Sequence, residues 1–261
     1  MDSIEQPEYS TLAEIYDHIM ENVDYDVWAD FIDEIIQVHH PAPQSILELA
    51  CGTGSLSLSL NELMCYEIIG TDKSPAMIAK ARSKSEQVSN SVKFLEMDFL
   101  DISLNRKFDA VVSIFDSINY LHKSRSIKKL LSEVKKVMDR NSLFIFDFTT
   151  PKNSIQAIDY LDNEEGTTSN NYYFYRKSRY DEEQQIHYNN FKIEKLADDN
   201  KTVKERYYEQ HKQRIYTLDQ MLNIISDTDY EIVAKYDAFD LIEATDNSLR
   251  ITMVLRCPKI Q

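Results

Sequence analysis

The stretch from Ile46 to Gly54 reads I-L-E-L-A-C-G-T-G, a short apolar strand that delivers an acid, Glu48, near its carboxyl end and then turns through Gly52 and Gly54 into a helix. In an open α/β sheet, ligands bind at the carboxyl ends of strands beside the topological switch point, where such a loop belongs. A Cβ at Gly52 or Gly54 would collide with a ligand lying against the backbone. Asp72 ends the next strand, where a carboxylate can accept both hydroxyls of a ribose, and Asp98 ends the one after it. The dinucleotide fingerprint G-x-G-x-x-G fails, because Ser57 stands at its third glycine, and a Walker loop fails for want of a nearby lysine. An acid at the end of the first strand also repels a pyrophosphate. These residues select a nucleoside bearing positive charge.

The elements that must position them can be read from periodicity. Leu12, Ile15 and Ile19, then Trp28, Phe31, Ile32, Ile35 and Ile36, recur at helical spacing, which predicts two amphipathic helices broken around 22–26. Pro41 and Pro43 end the second, and 45–50 follows as a buried strand. Helical patterns at 74–85 and 124–139 then alternate with apolar strands at 66–72, 91–98, 108–117 and 142–148. Ser74 with Pro75 is a helix start, the hydroxyl capping and the proline at the first helical position. Strands separated by helices imply parallel βαβ units and a doubly wound α/β sheet. From 151 to 216 strand-like alternation predicts an antiparallel β insertion, carrying eight of the 16 tyrosines between 151 and 210. Such aromatic strands serve as a substrate-facing lid or as half-buried β surface. A helix (217–230) and two strands (231–239, 249–257) close the chain. The expected organisation is a cap at 1–40, a ligand-binding core at 41–150, the insertion at 151–216 and a closing segment at 217–261.

The 261 residues, 43% hydrophobic and 28% charged, suit one elaborated globular domain. Residues 1–72 hold 15 acids and no Lys or Arg, so the net charge of −15 resides there. This acidic surface disfavours nucleic acid and anionic membrane as partners, and serves either solubility or attraction of a cation. Cys51, Cys65 and Cys257 form no CxxC pair and no zinc spacing, so neither a disulfide scaffold nor a metal is expected. The acidic start and the absence of an apolar run of about 18 residues point to a cytoplasmic protein.

ELACGTG resembles the first motif of the class I S-adenosylmethionine-dependent methyltransferases, D/E-x-G-x-G-x-G, with Ala50 in place of its first glycine. IIGTDKSPAMIAKAR resembles the family's second strand and helix, LEMDFLD its third-strand segment, and FDAVVSIFDSINYL with SLFIFDF its fourth and fifth strands. The four segments occur in order and at the family's spacing. The resemblance implies a Rossmann-like, mostly parallel seven-stranded sheet and S-adenosyl-L-methionine as cofactor. It implies that Glu48 and the backbone of Ala50, Cys51, Gly52 and Gly54 approach the methionine part and that Asp72 takes the ribose. Met97, Asp98 and Phe99 would contact the adenine, with Ile114 beneath; Met97 and Phe99 are alternatively core residues. The N-terminal pattern around Tyr9, Tyr16, Asp17, Met20, Tyr25 and Trp28 resembles the small-molecule branch, closest to amino-sugar N-methyltransferases and related uncharacterised bacterial methyltransferases. There the helices close over the cofactor, a role that falls to Tyr16 and less to Tyr9.

Methyl transfer from a sulfonium is an in-line displacement, for which alignment of the nucleophile supplies most of the advantage. An amine acceptor must first lose a proton, which an apolar aromatic pocket favours. Tyr120 and His122, just after the fourth strand, are the expected catalytic residues, with His187 and His211 of the insertion behind them. The expected reaction is methylation of nitrogen or oxygen on a small molecule, by a monomer or homodimer. The competing readings are a non-catalytic S-adenosylmethionine-binding regulator and an RNA or protein methyltransferase, the latter opposed by the lack of an Asn-Pro-Pro-Tyr-like tetrapeptide at 114–117, which reads I-F-D-S.

Overall fold

The computed structural model describes residues 4–88 and 92–256; Cys257, the first three residues of the acidic N-terminus and Ser91 of the third-strand segment lie outside them. The chain opens with a two-residue strand, β1 (Ile4–Glu5), a 3-10 turn at Leu12–Glu14, one helical turn, α1 (Tyr16–Ile19), and the helix α2 (Tyr25–His39). The long first helix expected from the spacing does not form. Instead the carboxylate of Glu209 captures the amides of Thr11 and Leu12 at 2.5 and 2.8 Å. Leu12 and Ile15 then bury against Tyr172, Phe174, Phe191 and Ile193 of the insertion, so tertiary packing uses the apolar spacing. Asp24 starts α2 by accepting from the amides of Asp26 and Val27, both at 3.1 Å. The helix buries Trp28, Phe31, Ile32, Ile35 and Ile36 against the sheet, each fully buried large side chain contributing about 1.5–3 kcal/mol.

The core follows as β2 (Ser45–Leu49), α3 (Ser55–Glu62), β3 (Glu67–Asp72), α4 (Pro75–Gln87), β4 (Lys93–Glu96), β5 (Phe108–Ser113), α5 (Ser124–Lys136) and β6 (Met138–Thr149). Next come α6 (Pro151–Leu161), β7 (Glu164–Thr167), β8 (Tyr172–Asp181), β9 (Ile186–Leu196) and β10 (Val203–Arg214). The chain ends with α7 (Leu218–Ser226), β11 (Glu231–Asp237) and β12 (Arg250–Arg256). The strand alternation expected from Pro151 onward fails for the first 11 residues, which form α6, because Thr150 caps the amide of Asn153 and Pro151 occupies the first turn.

The seven-stranded sheet has the order β11-β12-β6-β5-β2-β3-β4. Its strands from β2 to β6 run parallel, and β12 lies antiparallel to both β6 and β11. The chain leaves β2 toward β3 and returns to β5 on the other side, which places the switch point between β2 and β5. This is the expected Rossmann-like methyltransferase topology. A second sheet has the order β1-β10-β9-β8-β7, antiparallel except where β1 joins β10 in parallel. The N-terminal segment thereby contributes an edge strand to the insertion.

Candidate active site

Glu48 rises on β2, the strand flanked in register by Gly70 of β3 and Val112 of β5. Its side chain is 3% exposed. Burial pushes the carboxyl up to about 8, against the pull of the Ser57 hydroxyl that donates to it. The backbone then turns sharply: Ala50 has φ +55°, Gly52 φ +54° and Gly54 φ +79°. Gly52 faces the ring of Tyr16, 3.8 Å from where a Cβ would stand. Gly54 serves packing rather than ligand approach, because a Cβ there would lie 2.6 Å from the Phe94 ring.

Asp72 closes this turn from the end of β3. Its two oxygens accept from the amides of Gly52 at 2.9 Å and Ser74 at 2.8 Å. Burial raises its carboxyl, and those amides oppose the shift. The result is a cavity at the carboxyl ends of β2, β3 and β5 whose walls include Glu48, Ala50, Cys51, Gly52, Asp72, Phe99 and Ile114, roofed by Tyr9, Tyr16 and Tyr25.

The roof is tied down by charge. Lys73, Lys80 and Lys84, at and within α4, pair with Glu8 at 3.6 Å, Glu14 at 2.8 Å and Asp17 at 3.1 Å. Lys84 also donates to Thr53 and Ser55 of the glycine turn. Part of the N-terminal acidity is therefore complementary to the first basic residues of the chain. Ser74 adds a hydrogen bond of 2.8 Å to the carbonyl of Tyr9.

A second cavity opens beneath the insertion, lined by Tyr160, Arg176, His187, Asn189, His211 and Gln213 from the insertion and Asp116 and Arg250 from the core. Tyr9, Tyr16, Phe115 and Tyr120 are walls of both cavities. The Tyr9 and Tyr120 hydroxyls are 2.6 Å apart, and Tyr120 reaches Nδ1 of His211 at 3.0 Å. His211 Nε2 stands 3.3 Å from Glu209. Burial pushes the phenols of Tyr9, Tyr16 and Tyr120 upward, so all three remain protonated. Tyr9, Ala50, Phe115 and Asp116 all sit at positive φ, a concentration of backbone strain at one site.

Other expected residues fall elsewhere. Met97 is buried in the core beneath α5. Asp98 uses its carboxylate to accept from Leu100 N at 2.8 Å and lies on an outer depression with His122. His122, expected beside Tyr120 as a catalytic residue, lines neither cavity: its Nε2 meets the carbonyl of Lys212 at 2.9 Å, and the histidine that reaches Tyr120 is His211. The sequence offered no local signal for this, because 91 positions separate Tyr120 from His211. Tyr25, Phe115, Ser117 and Met77 were also missed as cavity walls. Only the positions of Phe115 and Ser117, just after β5, carry a signal for them.

Residues 46–141, which contain Glu48, the glycine turn and Asp72, match the family described as "Methyltransferase domain". Those residues therefore form a methyltransferase domain. The chain is 34% identical over 140 residues, 53% of its own length and 54% of the other, to the putative methyltransferase YqeM of Bacillus subtilis. It is 32% identical over 112 residues, 42% of its chain and 45% of the other, to dTDP-3-amino-3,4,6-trideoxy-alpha-D-glucopyranose N,N-dimethyltransferase of Streptomyces venezuelae. The chain spans about half the length of the curated relatives it matches. In fold it resembles an S-adenosylmethionine-dependent methyltransferase of Clostridium acetobutylicum, with a TM-score of 0.76, 24% identity and coverage of 95% and 98% of the two chains. The first cavity suits S-adenosylmethionine: the buried carboxyls of Glu48 and Asp72 face a turn at positive φ, acceptors for a cationic nucleoside. Among the described residues no helix is long and apolar enough to cross a membrane and no cluster of ligating side chains is arranged for a metal.

Proposed function

We propose that this protein is an S-adenosylmethionine-dependent methyltransferase that transfers a methyl group to a nitrogen or oxygen of a small molecule. S-adenosylmethionine would lie in the first cavity, with Glu48 and the backbone of Ala50, Cys51 and Gly52 toward its methionine part, Asp72 on its ribose, and Phe99 and Ile114 on its base. When bound it supplies an electrophilic methyl carbon on a sulfonium. The observation that carries the reading is that Tyr9, Tyr16, Phe115 and Tyr120 wall both cavities, so groups held in each meet at those rings.

The chain's own residues do the rest. The aromatic junction excludes water and aligns the nucleophile. Tyr120 receives the proton of the nucleophile and passes its own to His211 Nδ1, with the Glu209 carboxylate 3.3 Å from the opposite ring nitrogen. In this reading the cap (1–40) roofs the cofactor, the core (41–150) binds it, the insertion (151–216) shapes the acceptor site and 217–261 completes the sheet. Isothermal titration with S-adenosylmethionine and S-adenosylhomocysteine, repeated on Asp72→Ala, tests it. Saturable binding that weakens sharply in the variant is expected; a folded protein that binds neither ends the reading.

A further inference from the structure

The inner face of the insertion sheet changes character along its length. Toward one end, Tyr172, Phe174 and Ile193 bury against Leu12 and Ile15 as an ordinary apolar core. Toward the other, the same alternation on β8, β9 and β10 turns inward Arg176, Ser178, His187, Asn189, His211 and Gln213. A buried polar face needs partners, since an unmade buried hydrogen bond costs about 1–3 kcal/mol.

Some of these groups have them, while Nε2 of His211 has no hydrogen-bond partner although Glu209 stands 3.3 Å away. Asp116 is taken by Arg250 at 2.5 Å and Gln213 at 2.9 Å, Arg250 is shared with Asp147, and His187 bonds Ser178 at 2.7 Å. Arg176 is different. It is 7% exposed, its guanidinium lies over the Phe191 ring, and its Nη2 meets Glu164 at 2.8 Å, yet its buried Nε has no hydrogen-bond partner. Ser154, 1% exposed on α6, which packs against β8, is likewise without a partner, as is Oδ1 of Asn189. All three residues line the acceptor cavity.

From this we infer that the methyl acceptor carries an oxyanion, a carboxylate or a phosphate, that docks on Arg176 and Ser154. Its nucleophile lies toward Tyr9 and Tyr120, which wall the same cavity. The inference rests on the proposed function for the identity of the cavity. The donors are fixed in advance: the guanidinium is held in plane by Phe191 and Glu164, so it offers Nε–H to an oxygen with little further loss of freedom. Asn189 Oδ1 accepts from a hydroxyl or ammonium on the same molecule. Asp116 is already paired with Arg250, so Nε of Arg176, the Ser154 hydroxyl and Nε2 of His211 remain for an incoming group, and of these the guanidinium is the one built for an oxyanion.

The test titrates inorganic phosphate and acetate separately, at constant ionic strength, into the protein with and without saturating S-adenosylhomocysteine. Saturable binding of one anion is expected, and which one binds separates a phosphorylated acceptor from a carboxylic one. Arg176→Gln should weaken that binding on the order of ten-fold or more while S-adenosylhomocysteine binds as before. Glu164→Gln, which frees the second donor of Arg176, should tighten it and keeps the test alive if the first variant does not fold. Binding of neither anion, or equal binding in Arg176→Gln, overturns the inference. Loss of S-adenosylhomocysteine binding alone would instead count against the proposed function.

Discussion

The hydroxyl of Tyr120 stands 3.0 Å from Nδ1 of His211, joining the end of the parallel core to a strand of the insertion. Tyr120 has one proton and Tyr9 lies 2.6 Å away. If Tyr120 donates to Nδ1, Tyr9 donates to Tyr120 and His211 carries its own proton on Nε2, facing Glu209. His211→Ala should therefore lower kcat toward an amine acceptor about 100-fold. Affinity for S-adenosylhomocysteine should stay unchanged. A kcat equal to that of the unaltered protein would remove His211 from the proton path.

The Glu48 carboxyl, raised from its ordinary 4.5 to about 8 by burial, links cofactor binding to pH. A cationic ligand favours the ionised carboxylate, so affinity should increase as pH rises toward 8 and binding at neutral pH should release a proton. Calorimetry in two buffers of different ionisation enthalpy reads that proton directly. Stability of the free protein runs the other way: the folded state holds this proton more tightly than the unfolded chain. The contribution is full below about 4.5 and is lost as pH rises through 8. Glu48→Gln should flatten both dependences.

Ala50 adopts φ +55°, a conformation that costs an L-residue about 1–2 kcal/mol. Ala50→Gly should raise stability by roughly 0.5–1 kcal/mol once the greater freedom of the unfolded chain is counted. Gly54→Ala should do the reverse, since its Cβ would stand 2.6 Å from the Phe94 ring and 3.0 Å from Ala81. Denaturant midpoints of the two variants check the opposite signs.

The roof over the cofactor cavity is held by Lys73, Lys80 and Lys84 against Glu8, Glu14 and Asp17. Partly exposed pairs are screened by salt. Dissociation of S-adenosylhomocysteine should therefore accelerate as ionic strength rises. Lys84→Ala should speed it at low salt and weaken its salt dependence, measured by stopped-flow displacement. A rate insensitive to salt would mean that the roof opens elsewhere.

Local chemistry made the core legible. The Ser74-Pro75 start of α4, the apolar runs of β2, β5 and β6, and the turn through Gly52 and Gly54 are each specified within a few residues, and the switch point follows from their order. The acids Glu48 and Asp72 were legible for the same reason, since each ends its own strand. The N-terminal segment was not. Its helical spacing at Leu12 and Ile15 is satisfied by a sheet far away in sequence, and Glu209 takes the amides a helix would have used. Thr150-Pro151 is a helix start as clear as Ser74-Pro75, but the tyrosine-rich alternation that follows obscured it.

By itself the sequence determined the alternating α/β core, the two acids and the glycine turn between them, because backbone period and turn chemistry act over neighbouring residues. Only the tertiary structure decided which groups meet across the two sheets: Tyr120 with His211, Glu209 with the cap, and Arg176 with the second cavity. Those pairings depend on how the insertion docks against the core, and docking is settled by packing and charge between segments about a hundred or more residues apart, which no local pattern records.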